Sequence, residues 1–109
     1  MILVHHRGAK TGTERVAPLV YQDAGPDRWV VFASFGGAPQ DPQWFRNLVA
    51  NPETTVEVGT ETIPVRARVA EGDERESLWN AQKSAVPQFA EYEERAGGRQ
   101  IPVVILERR

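Results

Sequence analysis

The chain has 109 residues, 40% hydrophobic and 26% charged, with a formal net charge of −2 and no cysteine. That length holds one domain around one core, residues 1–109, and the missing thiols exclude disulfides, iron–sulfur clusters, thiolate zinc sites and thiol catalysis. The weak negative charge argues against nucleic-acid binding, which needs an extended basic face; no stretch approaches the roughly 18 apolar residues that span a bilayer, and no signal peptide is visible, so the expectation is a soluble cytoplasmic domain.

The chain starts directly in a strand, Ile2-Leu3-Val4, which leaves open whether a leading segment is missing. Residues 2–7 and 15–22 read as strands joined by a turn over Gly8–Glu14. Ala24-Gly25-Pro26-Asp27 is a hairpin turn into a third strand, 28–34, apolar on both faces and so expected to be central in its sheet. A loop over 35–40 follows. Asp41 as N-cap with Pro42 at the first helical position then opens a short helix through Trp44 and Leu48, ending at Asn51-Pro52. Residues 54–58 and 61–70 form a hairpin over Gly59-Thr60. Asp73 and Glu76 have the spacing of a capping box, and the helix they open breaks at Pro87 into two pieces before Ala96-Gly97-Gly98 ends it. A last strand spans 101–106. Six strands, mostly in hairpins, with two helical excursions predict a small antiparallel barrel whose openings the helices cover.

Two segments carry chemistry. Arg7-Gly8-Ala9-Lys10-Thr11-Gly12-Thr13-Glu14-Arg15 is a glycine-bracketed turn with cations concentrated in one small region. Glycine lets backbone N–H groups crowd a ligand, and Lys10 and Arg15 can pair with phosphate oxygens, which points to a phosphorylated small molecule. A solvated basic turn is the plainer reading of the same residues. Ala33-Ser34-Phe35-Gly36-Gly37-Ala38-Pro39 brings a hydroxyl and two glycines to the end of a strand, while Trp44 and Asn47 share one face of the adjoining helix. Close backbone approach to a flat ring and an amide facing a heterocycle would suit this pattern, as would a tight loop beside a core tryptophan. His5 and His6 face opposite sides of their strand, cannot jointly grip one metal, and read as surface residues. Glu91, Glu93 and Glu94 read as a solvated helix face.

Taken in order, the Arg7–Gly12 turn, Arg15–Tyr21, Ala33–Pro39, Trp44-Phe45-Arg46-Asn47-Leu48, Asn51-Pro52 and Ile101-Pro102-Val103-Val104 strongly resemble the deazaflavin-dependent nitroreductases of actinobacteria. The resemblance covers nearly the whole chain. It implies a split β-barrel, FMN-binding-like in shape, that uses coenzyme F420 to reduce an electron-poor small-molecule acceptor such as a quinone, enone or nitroaromatic. Residue by residue, Lys10 and Arg15 match positions that hold the coenzyme's phosphate, with Thr11 and Gly12 supplying turn geometry and donors. Pro18, Leu19 and Val20 match the strand edge along the deazaflavin; Ser34, Gly36 and Gly37 match the loop meeting the ring; Trp44 and Asn47 match the helix flanking it.

Two departures from the family stand out. Phe35 occupies a position where relatives commonly have lysine, so stacking or an apolar lid replaces a charge near the cofactor's tail. Over the substrate side, some relatives carry several tyrosines, whereas here Phe89 has no hydroxyl and Tyr92 alone keeps one, so the proton comes from Tyr92 or from water. Phe89 serves equally as a core aromatic on an amphipathic helix. The alternatives are an FMN-binding split barrel and a non-catalytic carrier of deazaflavin or of a lipophilic ligand. An RNA-binding barrel is disfavoured by the charge. Monomer and homodimer both stay open, as does weak peripheral association with the inner face of the plasma membrane.

Overall fold

A computed structural model describes every residue except Pro39, and at Gly36 the backbone alone. The elements are β1 (Ile2–Arg7), β2 (Glu14–Leu19), β3 (Gln22–Asp23), β4 (Arg28–Phe32), α1 (Gln43–Ala50), β5 (Glu53–Val58), β6 (Glu61–Val69), α2 (Gly72–Ala85), α3 (Gln88–Arg95) and β7 (Val103–Arg108), with a 3-10 turn at Phe35–Gly37. The strands form one antiparallel sheet in the order β2-β1-β5-β6-β7-β4-β3. It curls into a split half-barrel. Six of the strands send alternate apolar residues to one inner cluster, among them Ile2, Val31, Val56, Val65 and Leu106, and α1 closes that cluster with Trp44 and Leu48.

A second cluster lies on the other face of β4 and β7, where Val30, Phe32, Val103 and Ile105 meet Trp79 of α2 and Phe89 of α3. The rings of Phe32, Trp79 and Phe89 lie 5.7–6.1 Å apart in tilted and edge-on arrangements, each pair adding about 0.5–1.5 kcal/mol beyond area burial. β4 is therefore buried on both faces, as its sequence predicts, but it is not central in the strand order. Only the two-residue β3 lies beyond it. An apolar run reports cover on both faces, and here that cover comes from two clusters and not from neighbouring strands.

The sheet has seven strands where six were expected. The segment read as one strand over 15–22 splits because Leu19 pairs with Ile2 while Gln22 pairs with Val30, so Val20 and Tyr21 carry the chain from one end of the sheet to the other. The third strand ends at Phe32 and the last begins at Val103. Both helix starts also differ. Pro42, not Asp41, is the N-cap of α1, because the Asp41 carboxylate is drawn to Arg99 at 2.6 Å. Glu71, not Asp73, precedes α2, and no capping box forms because the Glu76 carboxylate bonds Arg75 at 2.8 Å. The break at Pro87 is as expected: Val86 turns extended and two helices result.

Two surface readings are corrected. His6 is buried. Glu93 is partly buried and accepts from the Trp79 indole N–H and from Lys83 at 3.1 Å. Burial alone would raise the Glu93 pKa, but those two hydrogen bonds and the Lys83 charge outweigh it and hold the carboxyl below its usual range.

Candidate functional site

The β1–β2 hairpin and α1 together bound a cleft of about 640 Å³. The turn at its rim is held by backbone hydrogen bonds from Gly8 N–H to Thr13 and from Gly12 N–H to Gly8, both 2.9 Å. Gly12 has φ +70°, a left-handed conformation in which a side chain would be strained. Lys10, Thr11, Arg15 and Arg46 line this cleft. Among the described residues Lys10, Arg15 and Arg46 have no carboxylate within ion-pair distance, whereas Arg28, Arg66, Arg68, Arg75, Lys83, Arg99, Arg108 and Arg109 all do. Three unpaired cations around one concavity form a site for an anion.

Asn47 ties the hairpin turn to α1. Its Oδ1 accepts from the Ala9 backbone N–H at 3.2 Å and from the Gln43 amide at 3.0 Å, and its Nδ2 lies 2.8 Å from His6 Nδ1. The side chain is 1% exposed. Its amide is thus occupied within the protein, and the direct contact with a heterocycle expected of it has little left to draw on. The sequence offered a helix-face amide but no hint that His6 and Ala9 would consume it. His6 itself is held below its usual pKa, first by burial, then by the nearby charges of Arg15 and His5.

One helical turn away from Asn47, Trp44 faces a second concavity of about 300 Å³. Its walls are Pro18, Leu19 and Val20 at the end of β2, Phe32 of β4, Ser34 and Phe35 of the loop after it, Trp44, and Phe89 and Tyr92 of α3. All but Phe32 are residues the sequence singled out. Pro18 sits without strain because β2 is an edge strand and needs no ladder N–H there. Phe35 has φ 47° and is 57% exposed, so a bulky side chain is held at the rim in a conformation that normally favours glycine. Gly36 lies in the same 3-10 turn, and Pro39 of that loop motif is outside the described residues. Phe89 is 8% exposed and packs edge-on against Phe32, Trp79 and Tyr92, so it is at once core and slot wall. The Tyr92 hydroxyl has no hydrogen-bond partner among the described residues.

Gly37 is not available to a ligand in the way expected. A Cβ there would come within 2.6 Å of Arg95 Cβ and 2.9 Å of the Tyr92 carbonyl oxygen, so this glycine exists to let the loop lie on α3. Sequence reasoning missed Arg99 altogether. Its guanidinium donates to the carbonyl oxygens of Ala33, Ser34 and Ala38 and to Asp41, clamping the loop that carries Ser34 and Phe35. An arginine just beyond the Gly97-Gly98 helix stop gave no signal of that reach.

Two concavities, one lined by unpaired cations and the other apolar and aromatic, are thus each bounded in part by β2 and α1. A family model for F420H(2)-dependent quinone reductases matches residues 1–108. The chain belongs to this family. A Mycobacterium tuberculosis protein whose name assigns it to the F420H(2)-dependent quinone reductases is 41% identical over 105 residues, 96% of this chain and 87% of that one. A solved F420-H2 dependent reductase, FDR-A, superposes with a TM-score of 0.84 at 39% identity, covering 97% of this chain and 92% of the other. A second solved structure, described as a domain-swapped dimer, gives the same TM-score and identity over 97% of this chain and 78% of its own. The split barrel read from the sequence is the fold of this family member. No helix among its described residues is long and apolar enough to cross a membrane.

Proposed function

We propose that this member of the F420H(2)-dependent quinone reductase family binds coenzyme F420 along the β2–α1 groove, charged tail at the cation cleft and deazaflavin ring in the aromatic slot. The carrying observation is the pairing of the two concavities. Arg15 and Leu19 are four residues apart on the same face of β2, about 13 Å along a strand, which suits one elongated ligand with a charged end and a flat end. Lys10, Arg15 and Arg46 would hold the phosphate, with Thr11 and the Gly12 turn supplying donors and shape. Pro18, Leu19, Val20, Ser34, Phe35 and Trp44 would enclose the ring, while Asn47 positions the phosphate turn from behind.

When bound, the reduced deazaflavin supplies a hydride to an electron-poor acceptor; the chain supplies everything else. The slot walls orient acceptor and ring face to face and exclude water from between them. Phe89 sets the apolar width of the acceptor side, and Tyr92 presents a hydroxyl there that can donate a proton. Quinones, which collect their proton readily from water, fit this arrangement best, with enones and nitroaromatics behind. The cytoplasmic location expected from composition belongs to this proposal; membrane contact does not. A homodimer belongs to it as well, since β2 has an unpaired outer edge, with Val16 on it and Val20 just beyond it exposed, and one structural neighbour is a domain-swapped dimer.

The test is a titration with oxidised coenzyme F420 alongside FMN, followed by turnover of menadione with reduced coenzyme. Saturable F420 binding with menadione reduction is the expected result. Preference for FMN, or coenzyme binding with no reduction of any quinone, enone or nitro acceptor, overturns the reading.

A further inference from the structure

Within the cleft just assigned to the coenzyme's tail, and resting on that assignment, we infer that His6 is a further phosphate-contacting residue, donating its Nε2–H to an anionic oxygen. The argument is one of tautomer. The Ala9 backbone N–H can only donate, so the atom of Asn47 facing it at 3.2 Å must be the amide oxygen, and the Gln43 amide at 3.0 Å agrees. The Asn47 amide nitrogen is thereby turned toward His6 Nδ1 at 2.8 Å. That nitrogen has only protons to offer. Nδ1 must accept, which fixes the single ring proton of neutral His6 on Nε2.

Nε2 makes no hydrogen bond within the described protein, yet no fully buried side-chain nitrogen or oxygen there lacks a partner. Nε2 is therefore accessible, and His6 is among the residues that line the cation cleft, together with Gly8 and Arg15. A ring otherwise buried, with its tautomer fixed from behind and one N–H left open beside three unpaired cations, is a preorganised anion donor. The neutral form also suits the place. A second ring proton would set Nδ1–H against the Asn47 N–H, so His6 donates without adding a fourth positive charge.

Two ligands separate a phosphate contact from a general loss of the site: oxidised coenzyme F420, and the corresponding deazaflavin that lacks the phosphate. His6→Phe keeps an aromatic ring but removes the donor. It is expected to weaken coenzyme F420 about ten- to a hundredfold while leaving the phosphate-free deazaflavin unchanged. Equal weakening of both ligands, or of neither, overturns the inference. If His6→Phe has no effect while Lys10→Ala and Arg15→Ala lower affinity, His6 alone is misassigned; if all three leave affinity unchanged, the cleft itself is misassigned. Ring-nitrogen NMR on the unmutated protein gives an answer whatever the variant's stability. The free protein should show the Nε2–H tautomer, and that proton should shift when coenzyme is added. An Nδ1–H tautomer, or an Nε2–H signal indifferent to the coenzyme, overturns it equally.

Discussion

Arg99 Nη1 lies 2.6 Å from Asp41 Oδ1, and the same guanidinium reaches the carbonyl oxygens of Ala33, Ser34 and Ala38 at 3.1, 2.8 and 3.0 Å. One side chain from the segment after α3 thus fixes both ends of the loop that forms a wall of the slot. Arg99→Met keeps much of the stem and removes every donor. Asp41 is 32% exposed at its side chain and can recover solvent, so the stability loss should be about 2–3 kcal/mol, below the range for a fully buried pair. Urea denaturation measures it. Coenzyme affinity should fall in the same variant, because Ser34 and Phe35 lose their support.

Charge at the phosphate end should dominate affinity. Lys10→Ala and Arg15→Ala are each expected to weaken coenzyme F420 by about 1.5–3 kcal/mol, the usual range for a hydrogen bond to a charged group. Added salt should weaken binding in the unmutated protein and less so in each variant. Titration at two ionic strengths reads both effects; unchanged affinity in both variants would place the phosphate elsewhere.

On the acceptor side, Phe89 serves two purposes, and its variants should separate them. Phe89→Ala removes three aromatic contacts and should cost about 3–5 kcal/mol of stability. Phe89→Tyr is expected to raise turnover of nitro acceptors relative to quinones by placing a donor in an apolar slot. Tyr92→Phe should lower both modestly. Steady-state rates with menadione and a nitroimidazole decide the matter, and a ratio unmoved by Phe89→Tyr means that residue 89 does not meet the acceptor.

His5 and His6 should push stability in opposite directions with pH. His5 lies 2.7 Å from Glu57 and 2.9 Å from Glu14, and the Glu57 hydrogen bond is the main reason its pKa is raised. Its contribution is fully present below the unfolded value, about 6.5, and disappears as pH climbs through the higher folded value. His6, lowered chiefly by burial, contributes above about pH 6.5 and loses that contribution as pH falls through its folded value. The stability gap between the protein and its His5→Gln variant should therefore be largest in mild acid and close as pH rises above 6.5. Thermal melts from about pH 5 to 9 test this; a gap that widens with pH contradicts the sign.

The slot was legible in the sequence because its walls come from short ordered motifs whose residue types state their use: a proline at a strand edge, aromatics at helical spacing, a serine after an apolar strand. Chain order alone brought them together once the resemblance supplied the barrel. What stayed hidden were side-chain destinations set by distant partners. Asp41 looks like a cap until Arg99, 58 residues later, claims its carboxylate. Asn47 looks like a ligand contact until a backbone N–H 38 residues away and a buried imidazole fill its amide. Local spacing encodes which face a residue occupies, not which long-range donor reaches it first.

The contact of Gly37 with the main chain at Tyr92 has a mechanical consequence. Because backbone meets backbone there, the opening between the Ser34–Gly37 turn and α3 cannot be adjusted by rotating a side chain. Two faces of the slot form one stiff bracket. In the proposed site, tolerance for acceptors of different thickness would draw on the opposite wall, where Pro18 and Leu19 end a strand that is paired on one side only. With acceptors in the slot as proposed, stiffening that sheet edge is expected to narrow the range of acceptor shapes that turn over.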